Sequence, residues 1–225
     1  MGMLGLAAFL FLVTHLGLSA RPVRKRLVAL MGEKLFIPFY SAISFLTLGW
    51  TIHQFTQAPV NHIWETQDWA RVLALVVMPF ALLLAVAGFS TRNPTAVYQG
   101  EALAAAKPAP GILSVTRHPV MWAFMLWAIV HMIANGRGAD LILFGSLLLV
   151  AALGTLHQEA KRRIDQPEVW ARFAAQTSHI PFAAALAGRS RVDWAGIGLV
   201  RPLVALALYA LLLWAHGRLF GVAPI

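Results

Sequence analysis

The sequence predicts an all-α protein, a polytopic transmembrane helical bundle of about six spans with a short amphipathic cytoplasmic segment. Three observations predict it. The chain is 59% hydrophobic and only 12% charged, with a mean hydropathy of +0.70, far from an ordinary water-soluble domain. Apolar runs approaching the roughly 20 residues that cross a hydrocarbon core recur along it. The basic residues between those runs crowd onto alternate loops, as they do around inserted helices.

The spans read in order as 2–20, 36–55, 69–89, 119–134, 140–157 and 198–219, within a single domain over residues 1–225. No Lys or Arg precedes Arg21, so the first run lacks the basic start of a secretory signal and reads as a retained span. The fourth opens at Pro119, a residue suited to the first turn of a helix. Trp50, Trp64, Trp69, Trp194 and Trp214 fall near span ends, where indole rings prefer the interface. The segment 158–197 reads as interfacial. Asp165 or Gln166 before Pro167 looks like a helix start, and Val169, Trp170 and Phe173 form an apolar stripe with Arg163 and Arg172 nearby, which suits a helix in the cytoplasmic headgroups. Pro181 breaks that pattern, and a second apolar segment runs from Phe182 to Leu186.

Charge sets the expected topology. Of 18 basic residues, all but Arg71, Arg137 and Arg218 lie in one set of loops: Arg21 to Lys34, then Arg92, Lys107 and Arg117, then Lys161 to Arg201. This places those loops in the cytoplasm and both termini in the periplasm. The net charge of +9 is therefore accounted for by topology, with no nucleic-acid partner implied. The lipid bilayer is the expected partner. The absence of Cys excludes disulfides, thiolate metal sites and cysteine nucleophiles, so any metal must rest on His, Met or carboxylate.

Ionisable groups inside spans are costly and mark function. Among eight histidines, His15 and His131 lie within spans, with His216 near a span end. His53 and His157 sit at span ends, while His62, His118 and His179 lie in loops or at helix starts. His62, His179 and His216 read as ordinary interfacial residues. Phe124, Trp127 and Asn135 share a helical face with His131, and Ala8, Phe11, Leu12 and Ser19 share one with His15. Such surroundings suit either a porphyrin pocket or a hydrogen bond to a neighbouring helix. Two imidazoles on facing helices can clamp a haem, making His15 and His131 candidate metal ligands. Their depths differ by about 10 Å at the helical rise per residue, a gap that a tilted helix or tilted haem absorbs. Arg21 and Arg117 lie where guanidinium groups could meet the propionates.

The stretches "FLVTHLGLSARPVR", "GEKLF", "STRNPTAVYQGEAL", "GILSVTRHPVMWAFMLWAIVHMIANG", "ILFGSLLLVAALGTLHQEAKRR" and "TSHIPFAAALAGR" together resemble the NnrU family of bacterial inner-membrane proteins. That likeness runs from roughly Phe9 to Arg189 and implies an association with nitrite and nitric oxide reduction in denitrifiers. The same blocks are similar to the plastid 15-cis-zeta-carotene isomerases, which implies haem b held by His15 and His131. It further implies redox-gated cis–trans isomerisation of an apolar polyene, with nitric oxide as an alternative ligand of the iron. A third histidine important in those isomerases has no clean counterpart, and His53 is the nearest. "TRHP" ahead of a span, with a later acidic residue and "IPF", also resembles membrane methyltransferases of the isoprenylcysteine carboxyl methyltransferase type. That likeness implies S-adenosylmethionine near Arg117, His118 and Glu159, but the acidic pair is here Gln158-Glu159, one carboxylate short. A third reading is a cofactor-free membrane protein assisting assembly or regulation of nitrogen-oxide reductases. Haem transport is a variant of the first.

Overall fold

A computed structural model describes residues 1–95 and 109–224. Lys107 and the part of the "STRNPTAVYQGEAL" motif from residue 96 onward lie outside the described residues. In chain order the helices are α1 (Gly2–Ser19), α2 (Arg21–Met31), α3 (Glu33–Thr56), α4 (Asp68–Phe89), α5 (Pro119–Asn135), α6 (Gly138–Asp165), α7 (Pro167–Gln176), α8 (Ala183–Leu186), α9 (Trp194–Ile197) and α10 (Val200–Phe220), with a 3-10 turn at Gly111–Ser114. No strand is present among the described residues, only one isolated bridge between His62 and Arg137. The all-α reading holds.

Five helices, α1, α3, α4, α6 and α10, are long and apolar enough to cross a membrane. The remaining expected span, α5, is apolar but has 17 residues, at the lower end of the roughly 17–25 that can cross. Proline is tolerated inside α3 at Pro38 and inside α4 at Pro79, as is common in membrane helices, where neighbouring groups satisfy the carbonyl it frees. Thr14, Thr47, Thr51 and Ser90 return their hydroxyls to carbonyls one turn earlier, so these small polar groups carry no unsatisfied donor into an apolar setting.

The structure departs from the expected boundaries in three places. The basic stretch after the first span is itself helical, because Pro22 fits the first turn of α2 and nothing breaks the run before Gly32, whose φ of 78° turns the chain into α3. The fifth apolar run continues as helix to Asp165. Its extension "QEAKRRID" is rich in good helix formers, and the first breaker is Pro167. Finally, Trp170 and Phe173 of α7 are 3% and 1% exposed and pack on Leu113. The stripe expected to meet headgroups is covered by the protein itself.

Contacts divide the chain into two compact units, one of residues 1–70 with 128–157, the other of 71–127 with 158–225. In the first, α1 packs along α3, and Leu4, Ala7, Ala8 and Phe11, spaced three and four apart, are buried. Two alanines in that seam let helix backbones approach closely. Gly136, at φ 68°, turns α5 into α6 and accepts the Ile63 amide on its carbonyl at 2.8 Å. In the second unit the core is Leu84, Ala87, Ile112, Val115, Ala123 and Ile197. Gly88 lies against Val120 there, with no room for a side chain, and Tyr209 of α10 donates to the Leu75 carbonyl at 2.9 Å. Phe45, Leu46, Val76 and Leu203 remain exposed, an apolar surface of the kind that lipid covers.

Gly136 supplies a direct test of the turn. A methyl group there would collide with the Trp64 carbonyl on a backbone conformation that side chains disfavour. Gly136→Ala is expected to cost roughly 1–3 kcal/mol, read as a lower thermal midpoint in detergent. Gly154→Ala, with open space around the new methyl, should leave the midpoint unchanged or raise it.

Candidate functional site

The first unit holds His15, Arg21 and His131. His15 follows Phe11 by one turn on α1, and its ring lies 5.5 Å from the Phe11 ring and 5.3 Å from that of Tyr40 on α3. Tyr40 donates its hydroxyl to the His15 carbonyl at 3.3 Å and stacks on Phe36. The Nδ1 atom of His15 is buried with no hydrogen-bond partner among the described residues. A buried polar atom left this way costs about 1–3 kcal/mol, so it stands out from the hydroxyls nearby. His131 sits on α5 with its ring 5.1 Å from Phe144 of α6. Arg21 is half-buried at the start of α2. His53, the nearest counterpart to a third histidine, is exposed.

The second unit gathers a different set. Past the 3-10 turn, residues 115–118 lead into Pro119 and hydrogen-bond to the segment 177–182. The Arg117 amide donates to the Ser178 carbonyl at 2.9 Å, and the Phe182 amide to that of Val115 at 2.8 Å. Thr116 donates to the His179 carbonyl at 2.7 Å, as does the Trp122 indole at 2.6 Å. Asn93 and Thr95 both donate to the Arg117 carbonyl, at 3.1 and 2.8 Å. Phe182 holds a left-handed φ of 64°, which this pairing and its stack on Phe80 keep in place.

Four side chains converge on that frame. Arg117, 9% exposed, donates to the Thr177 carbonyl at 3.0 Å, lies 3.4 Å from a Glu159 oxygen and covers the Trp170 ring at 5.5 Å. His118 is 3% exposed, and its Nε2 is 3.0 Å from the same Glu159 oxygen. The His179 ring lies 5.2 Å from that of His118. One ligand atom from each of His118, Glu159 and His179 lies within 4.8 Å of the other two. Burial pushes the His118 imidazole below its ordinary pKa, although the bond to Glu159 opposes it. Burial likewise lowers His179, again against the pull of Glu159. Both rings are therefore held neutral near pH 7, the form in which imidazole donates a lone pair. Burial also depresses Arg117, with Glu159 counteracting.

The sequence-predicted residues thus divide. His15, His131 and Arg21 belong to the first unit, whereas Arg117, expected beside haem propionates, belongs to the second and is bonded to Thr177 and Glu159. His118 and Glu159, read together only through the methyltransferase likeness, are in hydrogen-bond contact. His179, expected to be an ordinary interfacial residue, completes their cluster. The signal for it was local: Thr177 and Ser178 precede it, and both are buried.

The chain matches the NnrU protein family over residues 3–224. It is also 23% identical over 193 residues to a 15-cis-zeta-carotene isomerase of the chloroplast from Zea mays, an alignment that covers 83% of this chain and 51% of that protein. The chain spans about half the length of that curated relative. No solved structure matches it.

The Arg117–Glu159 pair yields a prediction that needs no cofactor. Glu159→Ala leaves a guanidinium that is 9% exposed without its carboxylate, and removing one partner of a buried pair costs about 3–5 kcal/mol. Denaturant or thermal unfolding in detergent should show a loss at or below the lower end, because Glu159 retains 14% of its side-chain exposure. An unchanged midpoint would mean that the pair contributes nothing to holding the 115–118 segment.

Proposed function

We infer that this chain, which belongs to the NnrU family, is a haem-b-binding membrane protein that catalyses redox-gated cis–trans isomerisation of an apolar polyene, such as 15-cis-zeta-carotene. The observation that carries the reading is the His15 imidazole, beside Phe11 and Tyr40, with a buried nitrogen that no group among the described residues satisfies. An imidazole offered in this way, beside apolar and aromatic walls, fits an axial ligand of haem iron. His131, in the same unit and against Phe144, would be the second ligand. Arg21 would meet a propionate with its guanidinium. When bound, the haem supplies an iron centre whose oxidation state gates the reaction.

The chain's own contribution is then positional. Tyr40 fixes the His15 segment through its bond to the carbonyl, and the aromatic rings exclude water from the imidazole. Shifting a double bond between cis and trans needs no net proton transfer, and the reading calls for no catalytic carboxylate within the spans. Similarity to the Zea mays isomerase supports the polyene as ligand, with nitric oxide the alternative for a family tied by its name to nitrogen-oxide reduction. The S-adenosylmethionine reading calls for an acidic pair, and Gln158-Glu159 provides one carboxylate, so the haem reading is preferred. With α5 counted as a crossing, the distribution of basic loops supports both termini lying in the periplasm of a bacterial inner membrane.

Absorption spectra of the detergent-purified chain, oxidised and then reduced, test this beside His15→Ala and His131→Ala. The parent is expected to show a Soret band that shifts on reduction and shifts or disappears in each variant. A colourless parent from cells supplied with ample haem would end the reading. With haem present, the reduced chain should convert 15-cis-zeta-carotene in the dark while the oxidised chain does not. Both variants should lose conversion by about a hundredfold or more, on the scale of losing an essential catalytic contribution.

A further inference from the structure

We propose that His118, Glu159 and His179 form a second metal site, separate from the haem ligands, that takes one divalent transition ion of the zinc class. Two imidazoles and one carboxylate are a recognised donor set for such ions, and three protein ligands leave a fourth position for water or another ligand. The chain has no cysteine and hence no thiolate, and the three side chains gathered here offer nitrogen and oxygen.

The spacing suits an ion. Zinc binds nitrogen and oxygen at about 2.0–2.2 Å, which in a tetrahedral shell sets neighbouring ligand atoms about 3.4 Å apart. Here Nε2 of His118 is 3.0 Å from Oε1 of Glu159, and the three ligand atoms lie within 4.8 Å of one another. Closing onto an ion asks for shifts of an ångström or so in side chains alone. The supporting frame is already rigid. His118 is fixed by the pairing of residues 115–118 with 177–182, and the His179 backbone is held through its carbonyl by Thr116 and Trp122.

Arg117 lies 3.4 Å from the same Oε1 that His118 meets. It orients Glu159 as an outer-shell donor orients a metal ligand, and its positive charge tempers affinity for a cation. His179 and Glu159 are half-buried while His118 is enclosed, so an ion can enter past the first two and end on the third. Without the ion, His118 Nε2 and Glu159 are hydrogen-bonded to each other. An ion would take the place of that bond, with the neutral His118 ring carrying its proton on Nδ1 and no net proton lost from it.

The test uses the full chain in detergent, dialysed against zinc-buffered solution, with zinc and iron measured together by elemental analysis. One zinc per chain is expected in the parent and in the His15→Ala/His131→Ala double variant. In His179→Asn, zinc affinity should fall at least about tenfold, while the Soret band and thermal midpoint stay as in the parent. Zinc-edge X-ray absorption of the parent, which needs no variant, should show two imidazoles and one carboxylate. Zinc binding in His179→Asn equal to the parent would overturn the proposal, as would loss of zinc only on replacing His15 and His131, or an absorption edge without imidazole scattering. Haem failure is read from the Soret band and zinc failure from zinc content, so one reading can fall without the other.

Discussion

A guanidinium cannot be enclosed alone, and much of the second unit is arranged around enclosing Arg117. Its desolvation is costly unless partners offset it. The guanidinium meets three kinds of partner, the Glu159 carboxylate, the Thr177 carbonyl and the face of Trp170, while Asn93 and Thr95 donate to the Arg117 backbone carbonyl. The charge thus draws on α6, α7 and the 177–182 segment, and the backbone adds residues 93–95. One residue thereby ties together four pieces of chain. The extension of α6 beyond its apolar run follows the same demand, since the helix must reach Glu159 before it can end.

What the sequence made legible is what depends on composition and period. The apolar runs marked each long helix, because crossing hydrocarbon demands continuous intrahelical bonding and an apolar exterior. Pro119 and Pro167 marked helix starts because their rings fit the first turn. The α7 stripe was legible as amphipathic, but its counterpart was not. An apolar face reads the same whether it meets lipid or protein, and only the distant Leu113 decides that Trp170 and Phe173 lie inside. α2 was hidden by its charge, since basic residues signal topology without excluding helix.

The sites divide along the same line. His15 and His131 are visible in sequence because a lone imidazole in an apolar run is costly wherever it ends up. His118, Glu159 and His179 are separated by 41 and 20 residues along the chain, in loops and at a helix end where each is ordinary by itself. Their convergence depends on the hydrogen bonds between 115–118 and 177–182, which segments so short and so rich in Pro, Ser and Thr do not announce. Arg117 was legible as a cation at the head of a span, but its choice of Glu159 was not.

The two histidine environments make opposite demands on the protein. At His118 the polar partners are all protein groups, so the imidazole is held in place whether or not anything binds. At His15 the surroundings are aromatic, and the buried Nδ1 has no hydrogen-bond partner among the described residues. An uncompensated nitrogen of this kind makes the fold less stable than an apolar replacement would, by an amount that only a bound group can return. On the proposed haem reading, His15 would couple folding to ligand in a way His118 does not. A protein so built should gain stability from haem at the α1–α3 seam first, because the Tyr40 bond to the His15 carbonyl ties that ring directly to the packing of those two helices.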